Sequence, residues 1–405
     1  MAATRSEGTL KKWQHSVIRN GIMQYRENLT NYYIKNKAVV EVDLGSAFSL
    51  LSPPLGSAAA RRRIRCIMDD MILNQEHVEG GQEVEWVSKT PHFTTIAVTY
   101  RCQCDCEHCS AYQYHQRVQR EKSALTHEEL KSLVHQAVDL GTTCLILSGG
   151  EPLLYDGIYE LIAQVDPHQC VSTLFTNGEY LTPEVVKRLK DAGLFGAFVS
   201  LDHPDADRHD AHRHRPGIFA RAVEGIKQCQ DAGILTGIST YATQEKIDSG
   251  ELDAMMELGK ELGVLEVFVF DLIATGKLED QPHCMLGSRG VEMIREFRRK
   301  YNQEYEYPRI IHQTMFTSIA YPCAAEGCPG GVAQMHIRGN GDVCPCDFTP
   351  LSFGNIREHS LAEVWQSIRD SEIYSQPSRG CRLADPRYRQ ILMAGSLADS
   401  RAATR

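Results

Sequence analysis

The chain has 405 residues, 42% hydrophobic and 23% charged, with a formal net charge of −9 at pH 7. That length suits one large domain plus an added module. The acidic balance offers no basic field for a nucleic acid, and apolar runs such as "LEVFVFDLI" are too short for a membrane span.

Residues 1–90 are expected to form a mainly helical N-terminal extension. "WQHSVIRNGIMQYRENLTNYYI" has helical periodicity, and "LLSPPLGSAAARRRIRCIMDDMI" reads as a punctuated loop followed by a basic-to-acidic helix. This extension is read as structural filler, as a cap on the open side of the core, or as a substrate-recognition segment. The N-terminus lacks the apolar core of a secretory signal, so a cytoplasmic protein with reduced thiols is expected. Fourteen cysteines in such a compartment point to metal ligation more than to disulfides.

Six short apolar runs follow: "TTIAVTY" (94–100), "CLILSGG" (144–150), "STLFTNG" (172–178), "AFVSLDH" (197–203), "TGISTYA" (236–242) and "EVFVFDL" (266–272). Each is rich in β-branched or aromatic residues and bounded by turn residues, as strands are. Helices lie between most of them. Thr126 and Glu129 form a capping-box pattern ahead of an apolar face of Leu130, Leu133, Val134, Ala137 and Val138. Thr182 caps a second helix with Pro183 at its first position and Gly193 at its end. A third carries Phe219, Ala222, Val223, Ile226 and Cys229 on one face. Strand–helix alternation implies a parallel sheet with right-handed crossovers. The expected fold is α/β: a partial (β/α)6 barrel over 91–275, then a linker and helix (276–320). A small C-terminal cluster-binding domain (321–390) and a disordered tail (391–405) complete it. In such folds the chemistry gathers at the C-terminal ends of the strands.

The first strand runs into "RCQCDCEHC", four cysteines within eight positions. Cys102, Cys106 and Cys109 have the spacing C-x3-C-x2-C. Three thiolates on one loop can hold three irons of a [4Fe–4S] cluster and leave the fourth iron open. Zinc is the alternative, though it prefers two separate pairs of ligands. Cys104 is expected to stand aside, on the argument that neighbouring side chains on a tight loop point apart. Cys144, Cys170 and Cys229 are expected as small buried hydrophobes. The histidine-rich "DHPDADRHDAHRHRP" is expected to be a solvated, charged loop.

C-x3-C-x2-C after the first strand and "SGGEP" at the end of the second together resemble the radical S-adenosylmethionine (SAM) superfamily over roughly residues 92–275. The resemblance implies that Cys102, Cys106 and Cys109 bind a site-differentiated [4Fe–4S] cluster whose open iron SAM chelates. It further implies that Gly149, Gly150, Glu151 and Pro152 meet the SAM ammonium. Thr176, Asn177, Ser200 and Asp202 would then meet its methionine and ribose, with His108 near the adenine. Arg213 ends an H-D-x-x-R pattern, where it would pair with the SAM carboxylate or close a loop ion pair.

In the C-terminal part Cys328, Gly341 and Cys346 match C-x(9–15)-G-x4-C. With "FGNI…SLAEVW", this resembles the auxiliary-cluster domains called SPASM and, in single-cluster form, twitch. Only Cys381 remains after Cys346, which implies one auxiliary [4Fe–4S] cluster on Cys323, Cys328, Cys346 and Cys381, with Cys344 a rival ligand and zinc an alternative. Asp347 corresponds to an aspartate that serves as base in sulfatase-maturing relatives.

The resemblance thus implies reductive cleavage of SAM to a 5′-deoxyadenosyl radical and abstraction of a substrate hydrogen. Oxidation or rearrangement would follow with help from the auxiliary cluster. The substrate is a small molecule or, for a maturase, a ribosomally made peptide or protein. The electron donor would be a flavodoxin or ferredoxin. A non-catalytic iron–sulfur scaffold is the alternative of another class, and it would leave "SGGEP" without a purpose.

Overall fold

A computed structural model describes residues 37–75, 89–114, 123–313, 327–375, 378 and 380–392. The aromatic-rich helix expected before residue 37, Cys323 and the tail beyond 392 lie outside the described residues.

All six predicted strands form: β1 and β2 (Val40–Val42, Gly45–Ala47) precede them as a short hairpin, and the six are β3 (Phe93–Thr99), β4 (Cys144–Gly149), β5 (Val171–Thr176), β6 (Gly196–Ser200), β7 (Leu235–Ala242) and β8 (Glu266–Asp271). They pair in chain order, each parallel to the next. The sheet then extends at both ends. β9 (Arg309–His312) joins β8 in parallel, so the segment expected as linker and helix supplies a strand. β10 (Gln334–Ile337) returns from the C-terminal part to pair with β3, and β11 (Val343–Cys344) adds antiparallel beyond it. The result is a nine-stranded arc with β11 and β9 at its edges. Nothing in the sequence between β8 and β11 alternates regularly enough to announce these three strands.

The helices follow their predicted signals. Besides α1 (Ala58–Gln75), α2 (His127–Asp139) carries the full capping box of Thr126 and Glu129, and its predicted apolar face is the buried one. α3 (Ile158–Ala163), α4 (Pro183–Asp191, capped by Thr182), α5 (Ala206–His212) and α6 (Ile218–Asp231) continue the crossovers. α7 (Gln244–Asp248), α8 (Glu251–Glu261), α9 (Ser288–Gln303) and α10 (Leu361–Asp370) complete the set, α10 with a Ser360–Glu363 capping box. Among the described residues no helix is long and apolar enough to cross a membrane.

Strand residues alternate between two cores, as a period of two requires. Leu145 and Leu147 face the helices, whereas Cys144 and Ile146 face the concave side. There the N-terminal extension has a defined job. Ala47, Phe48, Leu50 and Leu51 pack against the first residues of β3 to β8 and close the base of the arc. The Leu50 carbonyl accepts from Thr173 Oγ1 at 2.6 Å, and Gly196 leaves room for the Leu50 side chain. Arg63, fully buried on α1, ties this plug down. It donates to Thr143 Oγ1 (2.7 Å), Ser52 Oγ (3.2 Å) and the Leu51 carbonyl (3.2 Å). Of the roles considered for this segment, its described part takes the structural one, at the end opposite the strand C-termini.

Glu266, at the start of β8, completes the plug by accepting from the Leu50 amide (2.7 Å) and Ser49 Oγ (3.1 Å). It is fully buried, and burial pushes its carboxyl up to about 7. A raised carboxyl pKa favours folding at low pH, and that contribution is lost as pH rises toward the folded value. Glu266→Gln cannot ionise. Relative to wild type it should gain about 1 kcal/mol of stability between about pH 6 and pH 8. Anaerobic denaturation of both proteins at the two pH values checks this. An equal pH dependence would mean that Glu266 does not titrate there.

Candidate active site

The C-terminal ends of the strands surround a cavity of about 510 Å³, within the range that binds small molecules. Its wall includes Cys102, Cys104, Cys106, His108 and Cys109 from the loop after β3, and Gly149 and Gly150 after β4. Thr176 and Asn177 follow β5, Ser200 and Asp202 follow β6, and Arg213 follows α5. Asp347 reaches the same cavity from the C-terminal part.

The thiol loop is fixed by its odd-numbered residues. Gln103 donates to Asn177 Oδ1 (3.0 Å) and Glu179 Oε2 (2.6 Å). The Asp105 carboxylate pairs with Lys277, and its carbonyl meets His214 Nδ1 at 2.8 Å. Glu107 pairs with His212 Nδ1 at 3.2 Å. The amides of Asp105 and Glu107 donate to the carbonyls of Arg213 and His212, both at 3.2 Å. The even-numbered cysteines are thereby left facing one another. Cys104 hydrogen-bonds with Cys102 and Cys106, so it does not turn away as expected. The argument that neighbouring side chains point apart does not reach it, because Cys102, Cys104 and Cys106 stand two residues apart and line one cavity. Cys106 is brought down to about 7, chiefly by the Cys104 hydrogen bond and against burial, with help from Arg213. Burial pushes Cys109 up to about 11.

"SGGEP" is stitched to the start of this loop. The Gly150 and Glu151 amides donate to the Thr99 and Arg101 carbonyls, both at 2.8 Å. Gly149 has φ +132°, and a Cβ there would lie 2.1 Å from the Thr99 oxygen; at Gly150 it would lie 2.5 Å from that of Arg101. Only glycine permits both the conformation and the approach. Glu151 is fully buried behind this wall, outside the cavity lining. Its oxygens accept from Thr176 Oγ1 (2.7 Å) and from the amides of Leu153 (3.1 Å) and Asn177 (2.8 Å). Burial raises it to about 7 against these bonds. Pro152 opens a 3-10 turn behind the wall. Glu151 therefore pins the end of β5 to the end of β4, and its oxygens are engaged before any ligand arrives.

Asp202 and Arg213 form a buried bidentate pair, Nε to Oδ2 at 2.7 Å and Nη2 to Oδ1 at 3.1 Å. Burial would raise the Asp202 carboxyl, but Arg213, then His108, hold it well below the usual range. Of the two roles weighed for Arg213, the structure displays the ion pair. His108 stacks on His212 (4.8 Å between centroids, 9° between planes) and lies 4.7 Å from the Tyr241 ring. Burial lowers it to about 3, leaving a neutral ring.

The histidine tract is not solvated. His203, beside Glu251 Oε1 at 2.6 Å, and His209, which accepts from the Asp202 amide at 3.0 Å, are both buried. His212 is half-buried against His108, and only His214 is half-exposed. Asp205 starts α5 by accepting from the Arg208 amide, and this helix carries the imidazoles inward. His108, Asp202 and His212 place three ligand atoms within 4.8 Å of one another. Both Asp202 oxygens already belong to Arg213, which makes the group a poor cation site.

Several lining residues escaped the sequence reading. Tyr241 and Asp271 stand at the ends of β7 and β8, where the strand-end rule could have found them. Asp271 lies 2.9 Å from His312 Nε2. His336 on β10 had no such signal. Its Nδ1 is 2.7 Å from Asp347 Oδ1, although the two are not aligned as a hydrogen bond. Phe175, Phe268, Phe270 and Phe348 give the cavity an apolar, aromatic side.

Behind Asp347, the thiols of Cys328, Cys346 and Cys381 gather closely enough to act on one another. A Cβ at Gly330 would sit 3.2 Å from Cys346 Cβ and 3.5 Å from Cys328 Sγ. Burial pushes Cys346 up to about 12, with Cys328 adding to it. Cys344 is fully buried on β11, where burial pushes it up to about 12; Arg338 is the foremost charge acting on it, and Cys346 is also among the groups that do. Cys144, Cys170 and Cys229 are buried, as expected.

The donor sets fit iron–sulfur clusters: soft thiols gathered at two places, on the loop after β3 and around Cys346. SAM fits the wall between. Asn177 Nδ2 and Thr240 Oγ1 are buried there without a hydrogen-bond partner. A ligand rich in carboxylate and ribose oxygens would satisfy them.

Comparison with known proteins agrees with this geometry. The Radical SAM superfamily model matches residues 96–258. The SPASM model, an iron–sulfur cluster-binding domain, matches 328–382. The AdoMet-dependent heme synthase of Methanosarcina barkeri is 28% identical over 327 residues, covering 73% of this chain and 92% of that protein. The PqqA peptide cyclase of Granulibacter bethesdensis is 24% identical, covering 70% and 78%. Among solved structures, Streptococcus suis SuiB bound to its precursor peptide SuiA superposes with a TM-score of 0.56 at 17% identity. That match covers 78% of this chain and 70% of SuiB, and it speaks for the fold alone.

Proposed function

Because this chain belongs to the radical SAM superfamily and carries a SPASM iron–sulfur domain, we propose that it oxidises a small molecule bound in the cavity between its two thiol groups. One observation carries this reading: the thiol loop and Asp347, which follows Cys346, line the same cavity. Cys102, Cys106 and Cys109 would hold the first cluster, and Cys328, Cys346 and Cys381, with Cys323, the auxiliary one. When bound, these clusters and SAM supply reductive cleavage to a 5′-deoxyadenosyl radical, removal of one hydrogen atom from substrate and uptake of the remaining electron.

The chain's own residues do the rest. Asn177 and Ser200 offer polar contacts on the SAM side of the wall, and Gly149 and Gly150 let that wall close on the thiol loop. The Asp202–Arg213 pair keeps the ribose side rigid. The phenylalanine side excludes water and seats the apolar part of the substrate. Asp347 accepts the proton that leaves with the second electron, and His336 stands beside it.

A maturase acting on a ribosomally made peptide is the second reading. The similarity to PqqA peptide cyclases favours it. The size of the cavity and the place of the described N-terminal residues, at the base and away from the thiol loop, support the small molecule. The test is anaerobic reconstitution with SAM and dithionite, followed by mass spectrometry with candidate substrates of both kinds. Cleavage of SAM that is stimulated, and matched by product, only with peptides would reject the small-molecule reading. No cleavage under any condition would reject both.

A further inference from the structure

The motif C-x3-C-x2-C uses three of the four thiols in the loop, and the fourth is not idle. Cys104 lines the cavity with Cys102, Cys106 and Cys109 and hydrogen-bonds with two of them. Its position is built in. Gln103, Asp105 and Glu107 are each anchored outward, to Asn177 and Glu179, to Lys277 and to His212. With these three held, Cys102, Cys104 and Cys106 are left lining the same cavity. Further anchors on the loop's outer side are main-chain bonds from Asp105 and Glu107 to Arg213 and His212. Rotating Cys104 away would break several of them together. Packing does not account for its place, because Cys104 is half-buried and belongs to none of the hydrophobic clusters among the described residues.

We propose that Cys104 is a fourth, displaceable thiolate ligand of the cluster held by Cys102, Cys106 and Cys109. It occupies the open iron until SAM takes its place. This rests on the radical SAM reading of the loop and adds to it a resting state with four protein ligands. The exchange is a ligand substitution without change of oxidation state. The iron–sulfur bond to Cys104 breaks, iron bonds to the amino nitrogen and carboxylate oxygen of SAM form, and the proton lost by the SAM ammonium goes to the released Cys104 thiolate. The consequence is protection: an iron with a protein thiolate is not open to water or small oxidants before SAM binds.

The test uses full-length protein, reconstituted anaerobically and kept free of SAM, exposed briefly to ferricyanide. A [4Fe–4S] cluster whose fourth iron lacks a protein thiolate sheds that iron and gives a [3Fe–4S] signal in electron paramagnetic resonance. Wild type should keep its iron. Cys104→Ala should lose about one iron per chain and show the signal, and its affinity for SAM should rise about tenfold because no thiolate must be displaced. Cys104→Val, which fills the space without a donor, should behave like Cys104→Ala and covers the case in which alanine disturbs the loop. Equal [3Fe–4S] yield and equal SAM affinity in wild type and Cys104→Ala would overturn the proposal. A chain in which Cys102→Ala, Cys106→Ala and Cys109→Ala together leave iron content unchanged would instead overturn the reading of the loop itself.

Discussion

Cys106→Ala should abolish cleavage of SAM, and replacing Cys102, Cys106 and Cys109 together by alanine should halve the iron content. Two [4Fe–4S] clusters bring about eight iron atoms per chain, of which about four belong to the loop. The expected loss is complete because Cys104, the one thiol left to stand in, sits two residues earlier on the loop, and a cluster shifted toward it would no longer present its open iron to SAM. The Cys104 thiol and the Arg213 guanidinium both act on Cys106, and the amides of its neighbours Asp105 and Glu107 are tied to the Arg213 and His212 carbonyls. Iron determination and 5′-deoxyadenosine release, measured on the same preparations, check the result. Retention of about eight irons by the triple variant, or zinc in place of iron in wild type, would remove the two-cluster assignment.

Cys346→Ala or Cys328→Ala should spare SAM cleavage and stop product formation. These thiols lie outside the cavity lining, behind Asp347 and Phe348, so their loss does not touch the loop that makes the radical. On the proposed oxidation it would remove the acceptor for the second electron. Asp347→Asn is the gentler version: it keeps size and iron but cannot take a proton. A positioned base contributes about 10²–10⁴-fold, so product formation should fall by about 100-fold or more while 5′-deoxyadenosine release stays within a few-fold. His336→Gln should fall between Asp347→Asn and wild type, since it faces Asp347 at 2.7 Å. Quantifying 5′-deoxyadenosine and product side by side separates the two roles. Normal product from the cysteine variants would make the auxiliary site structural, and loss of SAM cleavage in soluble, loop-loaded variants would end the division of labour.

Much of this site was legible because its signals are local. A capping box such as Thr126–Glu129, or a proline at the first helical position such as Pro183, acts within one turn, and all of these formed as expected. So did the six strands, each a short apolar run ending in polar residues, and the strand-end rule placed Thr176, Asn177, Ser200 and Asp202 around one cavity. The histidine tract misled for the opposite reason. Its composition is that of a solvated loop, yet α5 packs against the cavity, and His203, His209 and His212 find Glu251, the Asp202 amide and His108 as partners far away or across a turn.

By itself the sequence determined the βα order, the two thiol groups and their chemistry, because strand periodicity, caps and cysteine spacing depend only on neighbouring residues. Only the tertiary structure decided what those parts face. It turned Glu151 from the cavity to Thr176 and Asn177, committed Arg213 to Asp202 and set Cys104 beside Cys102 and Cys106. It also laid Leu50 across the base of the arc and brought His336 beside Asp347 by pairing β10 with β3. Each of these is a contact between residues distant in the chain or a choice of side-chain direction. Such choices are settled by which buried donor or acceptor still lacks a partner once the sheet has formed.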